Sequence, residues 1–337
     1  MSDTPAAQVR TLVGQLVNQR KAPCLLYISR RVVHADVLLV RQALGDRSLE
    51  HLDLILAGPG GDPEAAYLVA REIRRRVAQL TVYVPFRAKS ATTMVALAAD
   101  EVVFGALGEL GPLDAQYDEK MAADFPLSTS RLVLNAALEE LEAHAVKCYD
   151  TATRRILAES GMRPYEACSK AAEFVSALYG PLLARLDPVR LAESSRGLAI
   201  GQEYGNRLLR RYRPVLSDGQ REHLLGRLIR GYPTHGFVVD QEEAQEIGLP
   251  VRPAESWEIS LLDQLALTLI EFGLEQDLIE LCSADPAVSP KREKQPRRRE
   301  DDARARDRLF MSLFPERSSE GGGTSALEPP KKDVATV

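Results

Sequence analysis

Two short runs in this chain hold residues that could do covalent chemistry together. The first is Leu54 to Asp62, LILAGPGGD, an apolar strand running into Gly58-Pro59-Gly60-Gly61. Paired glycines at a strand end let backbone N–H groups approach an anion or a developing oxyanion with no Cβ in the way. The second is Ala88-Lys89-Ser90-Ala91-Thr92-Thr93, which follows a β run from Leu80 to Val84 and opens a small-residue helix expected over Thr92 to Ala99. A serine at such a junction sits where a nucleophile meets the positive end of a helix dipole. The pair of runs therefore points to a serine hydroxyl attacking a carbonyl whose developing charge is received by backbone amides. The plainer reading of Ser90 is a helix N-cap, since serine is common there.

Positioning such a pair takes a rigid scaffold, and the flanking pattern supplies one. Residues 5 to 19 read as a weakly amphipathic helix, Cys24 to Ser29 as a strand and His34 to Gly45 as a helix, while Asp62 and Pro63 offer an N-cap and a first helical position. Apolar strands alternating with period-3.6 helices continue to Phe104, the pattern of βαβ units on a parallel sheet. From about 129 to 230 the chain changes to long segments with Leu and Ala at three- and four-residue spacings, a helical layer. Gly236 to Asp240 then reads as a short strand, Glu242 to Ile247 as a helix ended by Gly248, and Trp257 to Leu274 as a last amphipathic helix. The expected domains are a body over 1–282 and a tail over 283–337.

The tail differs in kind. Between Lys291 and Arg308 nine basic residues face five acidic ones, a local +4, and Gly321-Gly322-Gly323 follows, so the segment cannot form a core and is expected to be disordered. Mixed signs without interleaved aromatics read as a solvated tether rather than a nucleic-acid arm. The apolar island at 309–314 (Leu309, Phe310, Met311, Leu313, Phe314) has the pattern of a motif that docks a protein partner or the body, against the alternative of an inert remnant.

Composition limits the remaining classes. At 337 residues, 45% hydrophobic and 27% charged, the chain can bury a full α/β core. A net charge of −5 argues against a nucleic-acid protein. Cys24, Cys148, Cys168 and Cys282 are scattered, and His34, His51, His144 and His223 share no ligand spacing, so neither a metal site nor a cofactor is expected. Scattered thiols, no apolar run of membrane-spanning length and no leader-like start give the expectation of a cytoplasmic protein without a transmembrane segment.

The segments GGDPEAA, AKSATT and ADEVVFG…GELGPLDAQ together resemble the Clp/crotonase fold, most closely its serine dehydrogenase proteinase branch, related to signal peptide peptidase A. The resemblance spans roughly 20 to 255. It implies an α/β, Clp/crotonase-like fold with a parallel β core flanked by helices, and a serine-type peptidase acting on peptide or protein substrates. Position by position, Gly60 and Gly61 match the oxyanion glycines and Ser90 the nucleophile, with the N–H of Ala91 as the second donor. The same resemblance implies a homo-oligomer, a trimer or a multiple of three.

It leaves the general base open. Where the Clp peptidases carry their histidine, this chain reads Gly111-Pro112-Leu113-Asp114-Ala115-Gln116, and where they carry the triad acid it reads Thr234-His235-Gly236. His and Asp occupy the two expected places with identities exchanged. One constellation is Ser90, His235 as base and Asp114 as its orienter. The signal-peptide-peptidase pattern uses lysine, for which Lys147 is best placed by order, with Lys120 behind it. Lys89 adjoins the serine, but neighbours on an extended segment point to opposite sides. His235 and Asp114 could equally be loop and turn residues, and Lys147 a solvated helix-face lysine. Two other function classes stay open: a crotonase-like acyl-CoA enzyme, using the glycines to hold a thioester enolate without a serine nucleophile, and a non-catalytic scaffold on the same fold.

Overall fold

The computed structural model describes residues 4–113, 131–272 and 277–284, all within one unit spanning Met1–Lys291. Its elements are α1 (Pro5–Arg20), β1 (Cys24–Ile28), α2 (His34–Leu44), β2 (Leu49–Ala57), α3 (Pro63–Arg74), β3 (Val77–Val84), the short β4 (Arg87–Ala88), α4 (Ala91–Ala96), β5 (Glu101–Phe104) and the short β6 (Glu109–Leu110). The helices α5 (Arg131–Ser160), α6 (Pro164–Leu183), α7 (Pro188–Tyr212) and α8 (Asp218–Arg230) follow, then α9 (Gln241–Glu246), α10 (Ser256–Phe272) and β7 (Leu278–Cys282).

The fold is α/β. The main sheet runs β5-β3-β2-β1-β7. Its first four strands are parallel and β7 is antiparallel to β1, with Cys24 opposite Cys282. Strand alternation sends Leu25, Tyr27, Leu52, Leu54, Leu56 and Val82 to one face, where they pack with α3, α4, α7 and α8. Leu26, Ile28, Ile55 and Tyr83 go to the other, under α1 and α10. Both faces are covered, which is why the strands read as continuous apolar runs.

A polar link also crosses from sheet to α10 on that second face. Tyr83 donates its hydroxyl to Glu258 at 2.8 Å, and Arg252 donates to both Glu258 oxygens at 2.8 and 2.9 Å. Glu258 is fully buried. Burial pushes its carboxyl up, but hydrogen bonds from Arg252, the Glu255 amide and Tyr83 outweigh that and hold it below the usual range.

Two expectations need correction. Gly236 to Asp240 is no strand: it is a turn and loop in which only Val239 bridges, to Leu110. The helix after Ser90 spans Ala91–Ala96 and not Thr92 to Ala99. A seventh strand, β7, lies just before the tail, in a stretch to which the sequence pattern assigns no element. The tail from 285 onward, with the island at 309–314, lies outside the described residues. So do Asp114 and Lys120. Among the described residues, no helix is long and apolar enough to cross a membrane.

Candidate active site

The glycine run and Ser90 are brought together by backbone pairing. Gly58 at the end of β2 donates to Arg87 at 2.8 Å and accepts from Lys89 at 2.9 Å. That ladder sets the loop after β2 beside the strand entering α4. Gly60 and Gly61 follow with φ of 119° and 151°, conformations open mainly to glycine. Val32, in the β1–α2 connection, braces them: its N–H donates to Gly60 O at 2.8 Å and its carbonyl accepts from Asp62 N at 2.9 Å. Asp62 then caps α3, accepting from Glu64 N at 2.8 Å, and its other oxygen lies 3.3 Å from His34 Nδ1. The N-cap and proline read from sequence thus end the glycine loop and fix its direction.

Ser90 stands at φ 52° and ψ −122°, a backbone strain unusual for a residue with a side chain and concentrated in proteins at functional turns. Its side chain makes no capping hydrogen bond to α4, so the N-cap reading does not describe it. Ser90 is partly exposed, and the space it faces is a cavity of about 690 Å³ that Gly60, Gly61, Ala91 and His235 also line. A Cβ on Gly60 would come within 2.7 Å of Ser90 Cβ and 3.2 Å of its Oγ. Gly60 and Ser90 are therefore in immediate contact.

His235 belongs to a tight turn in which Phe237 N donates to Thr234 O at 3.1 Å. The strand from β6 runs on through Gly111 and Pro112 to Leu113, which reaches the same cavity. Asp114, the next residue, lies outside the described ones. Lys147 is exposed on α5 and does not line the cavity. Lys89 is buried and turned away from the cavity, as strand alternation requires. Its Nζ donates to Leu110 O at 2.9 Å and Phe237 O at 3.0 Å and pairs with Glu109 at 3.2 Å. Burial lowers its pKa, and Glu109 works against that.

The rest of the cavity wall was not read from sequence. Met94, Leu113 and Ile200 give it apolar lining along with Gly197 and Gly201 of α7, and Arg30, Arg31, Asp62 and Glu64 give it charged lining. Arg30 is engaged by Asp277, whose carboxylate accepts from its amide at 3.0 Å. Gly197, Ile200 and Gly201 share one helix face by spacing, yet spacing alone does not say which face of a long helix meets a nucleophile. Among the described residues, no cluster of His, Cys, Asp and Glu could hold a metal ion.

Residues 33–134 match the family model described as ClpP-like SDH-type serine proteinase. The match takes in Gly60, Gly61, Ser90, Ala91 and Asp114 and stops short of Lys147 and His235. Two curated relatives come from Methanocaldococcus jannaschii: uncharacterized protein MJ1495, 36% identical over 72 residues (21% of this chain and 25% of that protein), and uncharacterized protein MJ0137, 40% identical over 65 residues (19% and 23%). The chain thus spans about a quarter of the length of these relatives. Among solved structures, a mutant of the 1510-N membrane-bound stomatin-specific protease matches with 15% identity and a TM-score of 0.24, over 43% of this chain and 67% of that one.

Proposed function

We propose that this chain, whose residues 33–134 carry a match to the ClpP-like SDH-type serine proteinases, is a serine peptidase working through an acyl-enzyme on Ser90. At the level of family, the match supports a peptidase. The observation that carries the finer reading is the single cavity onto which Ser90, Gly60, Gly61, Ala91 and His235 open together. In this reading Ser90 Oγ attacks the scissile carbonyl while His235 takes its proton. The carbonyl oxygen becomes an oxyanion received by the amides of Gly61 and Ala91, with Gly60 leaving the space. The C–N bond breaks, His235 returns the proton to the leaving amine, and an ester on Ser90 remains. A water then attacks the ester while His235 takes its proton; the bond from the acyl carbon to Ser90 Oγ breaks as His235 returns that proton to Oγ, and the carboxylic acid product departs and ionises in solvent. Asp114, one residue beyond Leu113, is the candidate orienter of His235. Lys147 is disfavoured as base by its exposed position away from the cavity.

The test is a fluorophosphonate probe followed by peptide mapping. Labelling at Ser90, lost in Ser90→Ala and strongly slowed in His235→Ala, is expected. Folded protein that stays unlabelled would overturn the acyl-enzyme reading, and normal labelling in His235→Ala would remove the histidine from it.

A further inference from the structure

We infer that Lys89 is a positioning residue for the Ser90–His235 pair: its buried head straps the turn carrying His235 to the strand carrying Ser90. The inference rests on the peptidase reading for the role it gives His235. The strap itself rests on contacts independent of that reading.

A single ammonium touches three segments. Next to it in sequence is Ser90. Its Nζ donates at 2.9 Å to Leu110 O, the residue from which the chain continues through Gly111 and Pro112 to the cavity wall at Leu113. It donates at 3.0 Å to Phe237 O, which closes the turn around His235. The third partner is Glu109 Oε2 at 3.2 Å, and Glu109 Oε1 in turn accepts from Arg87 at 3.1 Å. An ammonium has three donors, and each has an acceptor away from Ser90. Lys89 is therefore occupied as a tie and is not disposed to act as the base.

The surroundings are shaped for this tie. A Cβ at Gly111 would come within 2.5 Å of Lys89 Cδ, so the lysine stem needs a glycine above it. Val239 exchanges hydrogen bonds of 2.9 and 3.1 Å with Leu110, and the Phe237 ring stacks on Tyr232 at 4.6 Å. These contacts hold the loop near Leu110, but the loop has no strand pairing beyond the one bridge. An apolar side chain in place of Lys89 would take the Lys89 donor from the part-buried Phe237 carbonyl and leave Leu110 O with the Val239 N–H alone, a loss that is costly for acceptors removed from water, and the His235 turn would lose its tie to the strand carrying Ser90. Small misplacements of this kind cost catalysis far more than stability.

The experiment compares full-length wild type, Lys89→Met, His235→Ala and the double variant, reading the rate of fluorophosphonate labelling at Ser90 and amide hydrogen exchange by segment. Lys89→Met is expected to slow labelling about ten- to a hundredfold, short of the general-base contribution itself. It is also expected to speed exchange over 234–239 more than over α10. In the His235→Ala background the same substitution should change labelling no further. Unchanged labelling, a full additional loss in the double variant, or unchanged exchange over 234–239 would each overturn the inference. Lys89→Gln, which keeps a shorter polar head, is measured beside Lys89→Met and should fall between it and wild type. Should wild type fail to label, the peptidase reading falls, while exchange still decides the strap: selective acceleration at 234–239 supports it and none refutes it.

Discussion

Ser90 is held at φ 52° with Gly60 pressed against its Cβ, and this contact makes two neighbouring glycines separable by experiment. An alanine at Gly60 would meet the Ser90 side chain at 2.7 Å, whereas one at Gly61 would meet Val32 backbone atoms at 2.4 and 2.5 Å. Both carry positive φ, which costs about 1–3 kcal/mol for an L side chain. On the peptidase reading, Gly60→Ala is therefore expected to displace the Ser90 side chain and cut its labelling by about a hundredfold, the size usual when one transition-state contact is lost, with a modest fall in melting temperature. Gly61→Ala should fall further in melting temperature, because the Val32 backbone is pinned by two hydrogen bonds and cannot retreat. Equal melting temperatures with wild-type labelling in both would show that neither contact matters. The placement of the glycine run and of Ser90 at strand ends was legible in sequence, because an apolar β run precedes each. The strain at Ser90 was not, since φ depends on the Gly58–Lys89 ladder and not on local sequence. The inward turn of Lys89 followed from alternation alone, but its partners lie 21 and 148 positions away and no local pattern marks them.

At the scale of elements, the parallel core was legible because each strand is buried on both faces and each crossover helix has its own apolar stripe. The misreadings occurred where pairing is decided by partners. GFVVD has the composition of a strand, but in the fold only Val239 bridges while Phe237 turns its carbonyl to Lys89 and its ring to Tyr232. β7 was passed over because five residues beside a polar tail carry no signal of the β1 edge they complete, where Leu278 and Leu281 are buried. The link between β3 and α10 yields a pH prediction. Glu258 has its carboxyl pKa depressed by Arg252, the Glu255 amide and Tyr83. A depressed folded value contributes stability that is present above the unfolded carboxyl value, about 4.3, and is lost as pH falls through the lower folded value. Glu258→Gln should lower stability at neutral pH by about 3 kcal/mol, the usual cost of breaking a buried pair. Its melting temperature should also fall less steeply than that of wild type below about pH 4. Parallel acid profiles for the two proteins would show that another carboxylate governs acid unfolding.

For the whole molecule, the helical layer carries large apolar side chains that remain exposed on this one chain. Phe174, Leu178 and Leu182 on α6 recur every four residues at 53%, 49% and 46% exposure, with Tyr165 at 86% on the same helix and Val146 at 67% on α5. Four-residue spacing places the three α6 side chains on one helix face. A contiguous apolar stripe on a helix face normally marks an interface, and closed symmetry is the commonest way for identical chains to bury one. Self-association through α6 is therefore expected, and a trimer or a multiple of three is the order that the Clp/crotonase resemblance suggests. Light scattering on the full chain at micromolar concentration should give a mass well above the 37.2 kDa of one chain. The double substitution Phe174→Glu and Leu178→Glu places two charges in the stripe without touching the sheet or the Ser90 cavity, so it should return the mass to that of one chain while the melting profile of the core stays cooperative. A monomer mass for wild type would refute association, and an unchanged oligomer in the double variant would move the interface off α6.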